Sequence, residues 1–196
     1  MAVFTEVSRD EASAFVDRLA VGRLVSLRGI QAGIENSNFF VDTQDDKGAT
    51  RHWVLTLFER LTFEQLPFYL ELMRHLAQRG IPVPMPQADD SGALLHTLKG
   101  KPAALVDRLP GGHQLAPDVD HCAQVGAMLA RLHEAGRDFA GTQPNLRGLS
   151  WWDETVPLVL PHVTPAQREL VQVELAFAHQ VSASAAYRAL PRGPIH

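Results

Sequence analysis

VGRLVSLRGI (residues 21–30), QAGIENS (31–37) and NFFVDT (38–43) follow one another near the start of the chain and settle its architecture. The first run is β-branched and aliphatic, and the last alternates with a period of two. The piece between them is small and polar, so two strands joined by a turn fit where a helix does not. Asp45-Asp46-Lys47-Gly48 has the composition of a hairpin tip and HWVLTLF (52–58) that of a third strand, which makes an antiparallel meander. Upstream, Ser8-Arg9-Asp10-Glu11 is a capping box, followed by Ala12, Phe15, Val16 and Leu19 at helical spacing. Downstream, residues 61–79 set Leu66, Tyr69, Leu70, Met73, Leu76 and Ala77 on one helical face, and Gly80 stands where a left-handed cap would end it. IPVPMP (81–86) holds too much proline for a helix or a central strand and predicts an extended connector. Residues 93–98 and 102–108 flank Gly100 as a further hairpin, giving about five strands and one inserted helix in a compact α+β lobe.

After Leu109-Pro110-Gly111-Gly112 the pattern becomes helical, which places a boundary between a lobe of residues 1–109 and a helical lobe of residues 110–196. Val125, Met128, Leu129 and Leu132 share one face of a helix over 119–137, with Gly126 and Ala130 small enough for close packing; a core helix is expected. Residues 151–160 read as a short helix, and Thr164-Pro165 as a cap and first-turn proline opening another through about residue 186. Composition is that of a globular protein, with 45% apolar and 20% charged residues among 196. The net charge of −4, without a basic cluster, argues against nucleic acid as partner. No apolar run approaches the roughly 20 residues of a membrane span, so no membrane partner is expected. The single cysteine, Cys122, excludes an internal disulfide and fits a reducing, cytoplasmic setting.

Several residues could carry chemistry. The turn at 33–38 would let backbone N–H groups face a phosphate, with Ser37 and Asn38 adding side-chain donors; it also reads as an ordinary hairpin turn using Gly and Asn for positive φ. GxxxxGK[ST], HExxH and GxSxG are all missing, and the nine histidines form no tight pair on a helical turn. Glu71 falls mid-helix, on a face that reads as solvated. Trp151-Trp152 serves equally well as a helix anchor or as a ligand wall.

The ordered set is more telling than any member: GIENSNFFV (33–41), WVLTLFE (53–59), LMRHLAQRGIPVP (72–84), KGKPAALVDRLPGG (99–112), HCAQVGAMLARLH (121–133) and NLRGLSWW (145–152). Together they resemble the homoserine kinases that share the aminoglycoside-phosphotransferase, or choline-kinase-like, fold. GIENSNFF and PNLRGLSWW carry the homoserine resemblance; PVP, VDRLPG and LxxLH are shared more widely among small-molecule kinases. The resemblance implies a protein-kinase-like bilobal fold, with a five-stranded antiparallel first lobe and an incomplete helical second lobe. It also implies phosphorylation of the L-homoserine hydroxyl by ATP with Mg²⁺, giving O-phospho-L-homoserine for threonine biosynthesis. Gly33, Asn36, Ser37 and Asn38 would cover the nucleotide, and Val106, Asp107, Arg108 and Leu109 would form the hinge that meets the adenine.

Kinases of this fold carry a phosphate-holding lysine on the third strand, paired with a helix glutamate. The resemblance places Thr56 at the counterpart of that lysine and Glu71 at that of its partner, with Arg51 or Arg60 as substitutes for the lysine. PRGPIH looks like the approach to the H-x-D-x-x-x-x-N catalytic loop, with His196 as its first letter. The base and metal ligands would then lie beyond His196, and the chain on its own is expected to be the front portion of the enzyme with negligible turnover. The rival expectations are a kinase of the same fold acting on choline, an aminoglycoside or methylthioribose, and a nucleotide-binding pseudokinase.

Overall fold

The structure is a computed structural model and describes residues 3–195. Helix α1 (Arg9–Arg18) leads into β1 (Arg23–Gly29), β2 (Asn36–Gln44), β3 (Thr50–Phe58), α2 (Leu66–Gln78), β4 (His96–Leu98) and β5 (Lys101–Asp107). Then come α3 (Val119–Ala135), α4 (Leu149–Val159), a 3₁₀ turn (Leu160–His162), α5 (Pro165–Ser182) and α6 (Ala185–Arg188). The strands form one antiparallel five-stranded sheet in the order β1-β2-β3-β5-β4, the α+β lobe expected from the sequence. Two compact units are distinguished, one of residues 3–141 together with 194–195 and one of Thr142–Gly193.

Local chemistry sets most element ends. Ser8 and Glu11 close the α1 capping box reciprocally. Asp45 accepts from the N–H groups of Lys47 and Ala49, and Gly48 takes the positive φ of the hairpin tip. Lys99 and Gly100 both have positive φ between β4 and β5, as a two-residue hairpin turn requires. Helix α2 begins at Leu66 rather than near 61, because Pro67 fits the first turn and not the interior. Gly80 caps it at φ +74°, with Ile81 N–H returning to Leu76 O.

Alternation in β2 sends Ser37, Phe39, Val41 and Thr43 into the core beneath α1. There Ala12, Phe15, Val16 and Leu19 meet Trp53, Leu55, Leu57 and Leu105. Buried Thr43 is fully used: it donates to Val21 O (2.7 Å) and accepts from Trp53 Nε1 (2.9 Å). A smaller cluster of Leu70, Leu94 and Ala104 brings α2 against the opposite face. His75 of α2 and Arg79 at its C-cap hold Ala135 O at the end of α3 (2.9 Å) and Asp138 just beyond it (2.7 Å).

Helix α3 is formed as expected, but none of its residues is buried, and Val119 and Val125 are exposed. The expected core role is therefore corrected: periodicity marks an apolar side and does not supply a partner for it. In the second unit, Thr164 and Gln167 make the α5 capping box, and the helix yields to α6 after Ser182. His179 and Asp153 join α5 to α4 at 2.6 Å. Among the described residues no helix is long and apolar enough to cross a membrane.

Candidate functional site

The sheet face turned away from α1 carries Asn38, Phe40 and Asp42 of β2 opposite Thr56, Val54 and His52 of β3, and next to these Ala104 and Val106 of β5. Where β5 ends, a cavity of about 630 Å³ opens, lined by Phe40, His52, Val54, Pro84, Val106 and residues 107–111. Its walls are set by the β5 exit. Arg108 N–H donates to His52 O and Asp107 N–H to Met85 O (both 3.1 Å), while Gln87 N–H donates to Leu105 O (2.8 Å). The proline-rich connector is thus laid along the free edge of β5, and Gly111 turns the chain away at φ +135°. Burial pushes the Asp107 carboxyl above its ordinary value, and Gln87 Nε2 donates to it at 3.1 Å.

Polar and cationic groups gather around Phe40. The guanidiniums of Arg108 and Arg28 lie 4.2 and 5.2 Å from its ring centre. Asp42 accepts from Ser26 Oγ and from His52 Nδ1, each at 2.6 Å. The Ser26 hydroxyl, followed by His52, holds the Asp42 carboxyl below its ordinary value. Toward the β1–β2 turn, Thr56 Oγ1 donates to Asn38 Oδ1 at 2.8 Å. The Asn38 amide nitrogen lies beside Gly33, whose φ is +112°. A slot with apolar walls and an aromatic ring, strand-end backbone at one side and a small-residue turn on the same sheet suits a flat heteroaromatic ligand.

A family model described as the phosphotransferase enzyme family matches residues 26–196. The chain belongs to this family. It is 62% identical over all 196 residues to the homoserine kinase of Polaromonas naphthalenivorans, covering 60% of that protein. It is 55% identical over the same span to the homoserine kinase of Cupriavidus pinatubonensis, covering 59%. The chain thus spans about 60% of the length of the curated relatives it matches. Among solved structures it resembles an amicoumacin kinase in complex with AMP-PNP, Ca²⁺ and Ami, with TM-score 0.59, 17% identity, and 95% of this chain and 55% of that one covered. It also resembles a spectinomycin phosphotransferase in complex with ADP and spectinomycin, with TM-score 0.56, 14% identity, and 96% and 60% covered. These likenesses agree with the protein-kinase-like fold expected from the motifs.

Of the residues singled out by sequence, Val106, Asp107 and Leu109 line the cavity with Arg108. Gly33, Asn36, Asn38 and Thr56 do not line it; Asn38 and Thr56 pair on the same sheet face. Asn36 and Ser37 belong to β2 rather than to the turn, since Ile30 N–H closes onto Asn38 O at 2.8 Å. Ser37 is corrected as a side-chain donor to a ligand. It is fully buried on the α1 side, accepts from Phe4 and Thr5 N–H (2.8 and 2.9 Å) and donates to Glu59 Oε1 at 2.6 Å. Burial opposes the Glu59 charge, but hydrogen bonds from Lys101, Ser37 and Thr5 outweigh it and lower the carboxyl.

Glu71 bonds Arg74 on its own helix. Arg51, opposite Thr43 in the register, stands on the α1 side rather than beside Thr56. His196 lies outside the described residues. Asp42, His52 and Ser26 lie outside the motifs, and Phe40 closes GIENSNFF without having been singled out; the alternation of β2 and β3, which sets Asn38, Phe40 and Asp42 on one face, was the available signal. Trp152 borders a separate groove of about 310 Å³ in the second unit with Phe177 and Tyr187.

Proposed function

We propose that this chain supplies the nucleotide-binding lobe, residues 1–109, and the first helices of the following lobe in a homoserine kinase. Such an enzyme transfers the γ-phosphoryl group of ATP to the hydroxyl of L-homoserine, giving O-phospho-L-homoserine for threonine biosynthesis in the cytoplasm. The carrying observation is the slot beneath Phe40, Val54 and Val106 at the β5 exit. A purine would stack against these apolar walls while the backbone of 107–111 meets its edge, and Gly33, Asn36 and Asn38 would stand toward its phosphates. Mg²⁺ would neutralise phosphate charge as the transferred group moves. Among the described residues no group of three or more His, Cys, Asp or Glu is placed to hold a cation, so no metal ligand is assigned within them. Homoserine as substrate is supported by identity of 62% and 55% to two homoserine kinases along the entire chain.

A second reading, nucleotide binding without transfer, is favoured by Thr56, which meets Asn38 and brings no cation to that face. A chimera separates the two. Residues 1–196 replacing the matching segment of the Polaromonas naphthalenivorans relative should give homoserine-dependent ADP release within about tenfold of the parent kcat/KM, with choline and aminoglycosides far poorer. A folded chimera that binds AMP-PNP and releases no ADP with homoserine would overturn the kinase assignment and leave the second reading.

A further inference from the structure

No motif points to His52, yet three adjacent strands converge on it. Its Nδ1 lies 2.6 Å from Asp42 Oδ1, and Asp42 Oδ2 accepts from Ser26 Oγ at 2.6 Å. The registers place Ser26 opposite Asp42 and Asp42 opposite His52, so a line of hydrogen bonds crosses the sheet to the cavity that His52 borders. Its backbone is fixed as well, because His52 O accepts from Arg108 N–H. An ionised carboxylate only accepts, so the contact with Asp42 puts the proton of the neutral imidazole on Nδ1 and leaves a lone pair on Nε2. Nε2 has no partner among the described residues. An acceptor held at the rim of this slot discriminates among ligands, since one without the matching donor leaves it unpaired.

We infer that His52 is a specificity-determining residue of this cavity: Nε2 accepts a hydrogen bond from the nucleoside part of the bound nucleotide, either a ribose hydroxyl or the exocyclic amine of the base. Asp42 and Ser26 are its positioning residues. The inference rests on the nucleotide reading of the cavity given above.

Calorimetric titration with ATP, 2′-deoxy-ATP, 3′-deoxy-ATP and ITP tests it, on the wild-type chain, His52→Phe, His52→Gln and Asp42→Ala, each shown folded by thermal unfolding. The wild type should bind the analogue lacking the recognised donor about tenfold more weakly than ATP, and which analogue that is identifies the donor. His52→Phe should bind ATP and that analogue equally, at the analogue's affinity. His52→Gln, which offers a carbonyl acceptor, should recover part of the difference, and Asp42→Ala should lose part of it. Equal binding of all four ligands by the wild type, or a His52→Phe variant that keeps the discrimination or weakens every ligand alike, overturns the inference and leaves the nucleotide reading standing. A wild type that binds none of them overturns that reading and the inference with it.

Discussion

The two faces of the sheet are made by the same strands and obey opposite rules. Toward α1, Val41, Leu55, Leu57 and Leu105 are fully buried, and the two polar groups admitted, Ser37 and Thr43, are both hydrogen-bonded. On the other face, Asn38, Phe40, Asp42, His52, Val54 and Thr56 stay partly or well exposed and pair with one another. In β2 the two sets interleave residue by residue. Stability and ligand chemistry are therefore separable along one strand, and substitutions at neighbouring positions should have effects of different kinds.

The largest effect is expected on the closed face. Phe15→Ala should cost about 3–5 kcal/mol in urea unfolding, since the ring is fully enclosed and its neighbours cannot collapse into the void. Thr43→Val follows at about 1–3 kcal/mol, because Trp53 Nε1 then loses its buried acceptor. Phe40→Ala, on the open face, should change unfolding by under about 1 kcal/mol and weaken AMP-PNP about tenfold by calorimetry. If it destabilises as Phe15→Ala does, the division by face breaks down. Thr56→Val should weaken AMP-PNP about threefold and leave adenosine unchanged, as the Asn38 carboxamide loses its positioning donor; equal losses for both ligands would remove Thr56 from the phosphate end.

The smallest effects are electrostatic and opposite in sign. Lys99, with Ser8, lowers the Glu11 carboxyl from 4.5 to about 2. Its contribution is complete above pH 4.5 and fades as pH falls toward 2, so Glu11→Gln should flatten the acid limb of a Tm profile. Burial raises the Asp107 carboxyl from 3.8. Its charge costs stability as pH rises past the folded value, so Asp107→Asn should gain slightly at neutral pH and nothing below 3.8.

What was legible in the sequence was local. The Ser8–Glu11 capping box, the Asp45–Gly48 tip, the hairpin turn at Gly100 and the Gly80 cap each depend on a few adjacent residues. The homoserine resemblance likewise rests on short stretches such as GIENSNFF. Pairings between distant segments were not legible. Nothing in IPVPMP announces that residues 85–87 pair along β5 while Pro84 reaches the cavity wall, and a strand's end is fixed by its partner, which is why Asn36 and Ser37 moved from turn to strand. Alternation assigns Asn38 and His52 to a face without saying what each touches.

The central claim is that the open face at the β5 exit takes an adenine nucleotide. Titrating AMP-PNP and Mg²⁺ into the ¹⁵N-labelled chain and following backbone amide shifts tests it directly. Saturable changes at Val54, Val106, Asp107, Arg108, Leu109 and Gly111, with Ala12, Val16 and Leu105 nearly unmoved, are the predicted result; saturable changes confined to residues 142–193, or none at all, would contradict it.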